Sequence, residues 1–327
     1  MKRKKRTPKR TTNAPKPHYR VRNWAQYDRA LVQRASLTLW IADDLPNHWC
    51  PPATPKRGAP QRYSDYAIEV MRTLREVYQL TNRAAEGLMR SLFQLAQVDL
   101  PVPDHTTLSR RGRKMSVRLP KRSRGEPLHL AIDSSGLKVY GEGEWQVRQH
   151  GASKRRTWRK VHLAVDCASG LVMAVAVTEA RVHDSTVVEP LLAAVECPLA
   201  SVAADGAYDR RRVYEALMQH SAGVQIAVPP RRDARIWQHG NCKAPPHPRD
   251  ENLRFIRRYG RRRWKAWCGY GRRSLVESAV SRLKRLFGSG LRGRLLSVQD
   301  VSVRIRCCAL NVMTGLGMPE SYAVVVE

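Results

Sequence analysis

Residues 128–140, LHLAIDSSGLKVY, alternate: Leu128, Leu130 and Ile132 point to one side of an extended chain, and His129, Ala131 and Asp133 to the other. Residues 161–166, VHLAVD, repeat the alternation, and CASG (167–170) turns them into LVMAVAVTEA (171–180). Three antiparallel strands in a meander are expected. HDSTVVEPLLAAVE (183–196) follows as a helix with Asp184 or Ser185 as its cap. SVAAD (201–205) reads as a buried strand, DRRRVYEALMQHS (209–221) as a helix capped by Asp209, and VQIAVPP (224–230) as a strand ended by its prolines. A meander followed by βαβ units specifies an α/β fold: a mixed sheet with helices on its faces.

Upstream of the sheet the periodicity is helical. Residues 1–22 carry ten Lys or Arg and no acid, with three prolines, and read as a disordered basic arm. A helical pattern runs from Trp24 to about Leu45, followed by a loop holding Pro46, Pro51, Pro52, Pro55 and Pro60. Three helices are expected at about 65–79, 82–96 and 104–116, with Ser64 and Thr81 as caps of the first two. Ile68, Met71, Leu74 and Val77 give the first a core-facing stripe, and Ala85, Leu88, Leu92 and Leu95 the second. The third carries Arg110, Arg111, Arg113 and Lys114 on little apolar backing. An all-α, helix-turn-helix-like DNA-binding region over 23–120 fits this pattern, which any small helical bundle would share. A basic loop at Arg118–Gly125 leads into the sheet domain, 121–327.

The charge names a class of partner. The chain of 327 residues has 59 Lys plus Arg against 28 Asp plus Glu, a net charge of +31. So large an excess expects a polyanion, and nucleic acid above an acidic membrane. Residues 231–265 hold twelve Lys or Arg against three acids, together with Trp237, Trp264 and Trp267, a composition suited to clamping a backbone and stacking on unpaired bases. The segment 141–160, with six Lys or Arg, is a further expected DNA contact. His239, Cys242, His247 and Cys268 match no standard structural zinc spacing. Seven scattered cysteines, two of them adjacent, indicate a reducing compartment, and no apolar run reaches the roughly twenty residues of a membrane span. A bacterial cytoplasm is the expected location.

The helix expected at 270–287, YGRRSLVESAVSRLKRLF, buries a stripe. At about 100° per residue, Leu275, Val276, Ala279, Val280, Leu283, Leu286 and Phe287 span roughly 140°. Tyr270, Arg273, Glu277 and Lys284 fall in a separate arc of roughly 60°. One carboxylate therefore stands beside a phenol and two cations. Asp133 lies on a strand written for burial, and Asp205 ends another, where open α/β sheets gather their ligands. Three carboxylates from two strands and a helix make a hard oxygen site for Mg²⁺ or Mn²⁺, the arrangement two-metal phosphoryl transfer needs. The same acids also suit blander roles: Asp133 a polar strand edge, Asp205 a turn former before Gly206. Asp166 rivals Asp133 but leads straight into a turn, where Asp is ordinary. Asp184, Asp209 and Glu179 read as caps or turn neighbours.

Together these residues resemble the DDE transposases of bacterial insertion sequences, which have an RNase H-like catalytic core. Tyr270, Arg273, Glu277 and Lys284 match the spaced Tyr-Arg-Glu-Lys signature of one branch at every interval, and Asp133 and Asp205 match the two family aspartates. GEGEWQVRQHG (141–151), WRKVHLAVD (158–166), and the NWAQYDRAL and RGAPQRYSD segments near the N-terminus share the likeness, which runs from about residue 20 to 320. The resemblance implies Asp133, Asp205 and Glu277 as ligands of two Mg²⁺ or Mn²⁺ ions. It also implies Arg273 and Lys284 on phosphates, Tyr270 on DNA beside the cleaved end, and a homodimer when two DNA ends are paired. The expected reaction is hydrolysis at inverted-repeat ends of double-stranded DNA and joining of the 3′ ends to target DNA. A nuclease of the same fold without strand transfer, and a non-catalytic basic DNA-binding protein, are the competing readings.

Overall fold

The computed structural model describes residues 18–52, 60–119, 126–139, 158–238 and 245–324. The meander expected from alternation is present as β2 (Leu128–Val139), β3 (Trp158–Asp166) and β4 (Val172–Glu179), all antiparallel. β5 (Leu199–Ala204) and β6 (Gln225–Ala227) add to it in parallel, giving the order β4-β3-β2-β5-β6. β7 (Gly290–Leu291) pairs with the far end of β2 at Lys138 and Val139. This mixed sheet is the RNase H-like arrangement. Along its parallel edge β2 pairs with β5 up to Ile132 and with β7 from Lys138, and no described strand pairs with the stretch between.

Helices cover both faces. Leu128, Leu130 and Ile132 pack with α7 (Val188–Ala193) and α8 (Arg211–His220). Ala131, Leu137, Val161 and Leu163 pack with α10 (Ser274–Phe287) and α11 (Leu296–Gly315). Asn311 of α11 clasps the edge strand, its amide donating to and accepting from the backbone of Val172 (both 2.8 Å), which blunts an otherwise open edge.

Upstream lie β1 (His18–Val21), α1 (Trp24–Gln33), α2 (Leu37–Trp40), α3 (Leu45–Trp49), α4 (Asp65–Val77), α5 (Asn82–Leu95) and α6 (His105–Arg111). Ser64 and Thr81 cap α4 and α5 as expected, each hydroxyl accepting from the third residue on, Ala67 and Ala84. These helices have no core of their own. Trp49, Ile68, Met71, Met89 and Leu108 belong to the same buried cluster as Leu163, Val276 and Leu310.

Several expectations are corrected. The basic arm does not extend to residue 22, because His18–Val21 pairs antiparallel with β8 (Ser321–Val324); residues 1–17 lie outside the described residues. The third helix stops at Arg111, not 116. Residues 270–287 are not one helix: Tyr270–Arg273 form a 3₁₀ turn entered through Gly269 at φ +65°, and α10 begins at Ser274. Neither Asp184 nor Ser185 caps the helix after β4: His183 caps the 3₁₀ turn Asp184–Thr186 leading into it, its Nδ1 accepting from the Ser185 amide (3.3 Å), and α7 itself has no side-chain cap. Asp209 forms a buried pair with Arg249 (2.6 Å) in place of capping α8.

Candidate active site

β2 and β5 run parallel with Ile132 opposite Ala204, so Asp133 and Asp205 are the next residues on neighbouring strands. Alternation turns Asp133 toward the face covered by α10, which carries Glu277 in its first turn. Asp133 is 19% exposed, and its Oδ1 accepts from the Ser134 amide (2.8 Å). Burial raises its pKa; the Ser134 hydrogen bond and Arg273 oppose this, and the negative charges of Asp205 and Glu277 add to it. Asp205 also caps the 3₁₀ turn Gly206–Tyr208, its Oδ1 accepting from Ala207 (2.8 Å). A strand end and a turn cap are here the same residue.

Arg273 joins the acids. Its guanidinium donates to Asp133 Oδ2 (3.1 Å) and to Glu277 Oε1, while its buried Nε has no partner among the described residues. Lys284, two turns along α10 from Glu277, donates to Ser135 Oγ (2.7 Å), on the stretch of β2 whose parallel edge no described strand pairs. Tyr270 packs against buried Trp264 (ring centroids 5.5 Å) under Arg273 and Lys265. Burial raises its hydroxyl pKa; Arg273 works against this, and Asp205 and Asp133 reinforce it. All four residues of the spaced set thus face the two aspartates or the strand that bears them.

The donor set suits a hard divalent cation: carboxylate oxygens from three elements, with one positive charge already bridging two of them. The oxygens do not close round one point. Among the described residues, no three His, Cys, Asp or Glu side chains are placed to hold an ion. Arg273 stands between Asp133 and Glu277 and balances part of their repulsion.

Behind Asp133, on the other face of the sheet, is a polar cluster that the sequence reading passed over. Asp184 accepts from Ser134 Oγ (3.0 Å) and Lys160 Nζ (2.9 Å). Buried His162 places Nδ1 4.0 Å from the same carboxylate, and burial holds its ring neutral, with the pKa pushed down to about 4. The buried Tyr208 hydroxyl has no partner among the described residues; burial and then Asp184, Asp133 and Asp205 push its pKa up. Lys160 and His162 sit two apart on β3, so both face the core side. A half-buried lysine there calls for an acid, and that was the signal available.

The remaining expected DNA contacts fare unevenly. Arg111 turns inward to the Tyr63 carbonyl and Asp65, while Arg110, Arg113 and Lys114 are exposed. Trp264 is buried, with Nε1 on Asn252 (2.9 Å), and Trp237 is sandwiched by Arg249, 3.9 Å from its ring. Only Trp267 is open, stacked on Phe255 (4.6 Å) on α9 (Pro248–Trp267), a helix broken at Gly260. His247 caps α9. His239, Cys242 and the segment 141–157 lie outside the described residues. None of the described helices is long and apolar enough to cross a membrane. Two family models match the chain, each described as a transposase DDE domain: one over residues 32–142, the other over residues 124–312.

Proposed function

The chain belongs to the DDE transposase family, and from that premise we propose that it binds the inverted-repeat ends of a bacterial insertion sequence, cleaves them by metal-dependent hydrolysis and joins the freed 3′ ends to target DNA. The reading is carried by one observation: Asp133, Asp205 and Glu277 come from two strands and a helix onto one sheet face, with Arg273 bridging two of them. Asp133, Asp205 and Glu277 would hold two Mg²⁺ or Mn²⁺ ions, which supply Lewis acidity to the scissile phosphate and the attacking oxygen. Arg273 and Lys284 hold phosphate oxygens at the cleaved end through charge-assisted hydrogen bonds. Tyr270, fixed by Trp264, lies against the adjacent DNA. Arg110, Arg113 and Lys114 contact duplex phosphates outside the site; Arg111, tied to Asp65, contributes by holding α6 to α4. Two chains pair the two ends as a homodimer in the bacterial cytoplasm.

The test is an assay of the full chain with Mg²⁺, labelled element ends and a target plasmid. Joined products are expected, and Glu277→Gln, which keeps the shape but removes a charge, is expected to form none. Cut ends that are never joined would identify a nuclease of the same fold instead. Equal cleavage by Glu277→Gln would remove Glu277 from the reaction.

Asp184 is a positioning residue in this scheme. It holds the Ser134 hydroxyl, and the Ser134 amide in turn orients the Asp133 carboxylate. Asp184→Ala is expected to slow end cleavage by about tenfold to a hundredfold, the usual cost of an outer-shell partner. Duplex affinity, measured by anisotropy, should not change, and Asp184→Asn, which can still accept from Ser134, should recover part of the rate.

A further inference from the structure

A cleft of about 740 Å³ opens where the amino-terminal ends of α5 and α6 meet the segment after β7. Arg75, Arg83, Arg110 and Arg292 line it, with Thr81 and Asn82 at the start of α5. A recess of about 240 Å³ shares Arg75, Asn82 and Arg292 with it and adds Arg72, Arg113 and Arg294. Among the described residues, no carboxylate lines either one. Glu86, beside His105 on the cleft wall, is already engaged by Arg90 and His105.

Of these arginines, Arg72 is buried and Arg75 is half-buried. Arg72 is 3% exposed; it donates to Ser302 Oγ (3.2 Å), and its Nε has no partner among the described residues. The Arg75 side chain is 10% exposed, and its Nε is likewise without a partner among the described residues. Burial, with the charge of Arg75 adding and Glu76 opposing, pushes the Arg72 guanidinium down to about 10. Glu76 is shared between Arg75 and Arg306 (both 2.7 Å) and cannot neutralise the group. Like charges enclosed in this way are costly unless an anion joins them. The guanidinium sits against Gly112: a Cβ added there would stand 1.6 Å from Arg72 Nη1 and would displace it.

We propose that this cleft grips the phosphate backbone of duplex DNA, as a site separate from the carboxylates and formed jointly by α4, α5, α6 and residues 292–294. The choice of DNA as the anion rests on the transposition reading. The exposed rim of Arg83, Arg110 and Arg292 makes an open groove in place of a closed anion cage, which suits a polymer. The amino end of α5 adds backbone N–H groups and the favourable end of its dipole. α6 has seven residues and its Arg111 is turned inward, so the grip is on phosphates and does not read bases.

The test compares two charge-matched triple variants of the full chain, binding a fluorescent duplex of arbitrary sequence without divalent ions. Arg83→Gln, Arg110→Gln and Arg292→Gln remove the rim; Arg22→Gln, Arg29→Gln and Arg181→Gln remove three exposed arginines elsewhere. The rim triple should weaken binding and lower the slope of log affinity against log salt by roughly 2 to 3, one phosphate contact per arginine. The control triple should leave the slope near the parent value. Equal losses in both, or none in the rim triple, would overturn the proposal. In the unmodified chain, duplex should protect Arg83 and Arg292 from phenylglyoxal, read by mass spectrometry; full reactivity in the complex would overturn it as well. Neither readout needs cleavage, so failure to cut element ends would count against transposition and leave this result standing.

Discussion

Asp133→Asn is expected to lower end cleavage by about a thousandfold or more, the order of several kcal/mol of lost charge stabilisation in the transition state, while leaving the chain at least as stable as its parent. The two effects share one cause. In the folded protein the Asp133 carboxyl is partly desolvated and faces Asp205 and Glu277, and its pKa is raised despite Arg273 and the Ser134 amide. A folded pKa above the unfolded value, about 3.9, means that the group contributes most to stability when protonated. That contribution is lost as pH rises through the folded pKa. At neutral pH the carboxylate is thus a cost that asparagine removes. A thermal melt should show an unchanged or higher Tm for Asp133→Asn at neutral pH, with the difference vanishing in acid. An acid whose loss harms the reaction but not the fold is held there for chemistry. A large drop in Tm alongside full cleavage would make Asp133 structural.

The largest effect on stability is expected at Glu76. Its carboxylate is 5% exposed and accepts from Arg306 on α11 and from Arg75, both at 2.7 Å. Removing one partner of a buried pair costs about 3–5 kcal/mol, because the charges left behind are neither solvated nor matched. Glu76→Ala leaves Arg72, Arg75 and Arg306 to repel one another where α4 packs on α11, so a loss of about that size in urea unfolding is expected. Glu76→Gln, which keeps an acceptor, should lose less. Burial alone would raise the Glu76 pKa, but Arg306 and Arg75 outweigh it and lower it. A depressed folded pKa contributes stability above the unfolded value, about 4.3, and that stability is lost as pH falls through the folded pKa. The gap between parent and Glu76→Ala should therefore narrow in acid. A constant gap at every pH would mean that packing, and not charge, sets the cost.

Local patterns carried much of this molecule. Two-residue alternation in 128–140 and 161–180 marked the meander, and Ser64 and Thr81 marked two helix starts, because pleat and cap are properties of a few consecutive residues. The same logic failed where polar residues had long-range partners. Asp184 and Asp209 looked like caps, since a cap is the commonest local use of Asp; their partners Lys160 and Arg249 are supplied by other segments. Nothing local marks Arg72, Glu76 and Arg306 for burial; they are buried because α4 and α11, 230 residues apart at the Arg72–Ser302 and Glu76–Arg306 contacts, pack together.

By itself the sequence determined the three-stranded meander, the starts of α4 and α5 and the +31 charge, all properties of periodicity, local capping and composition. Only the tertiary structure decided that Arg273 bridges Asp133 and Glu277, that Asp184 supports Asp133 from the opposite face, and that arginines from residues 72–113 and 292–294 line one cleft. Those outcomes depend on which buried charges meet across distant segments. Burial and Coulomb energy act through space, and the order of residues along the chain does not record that distance.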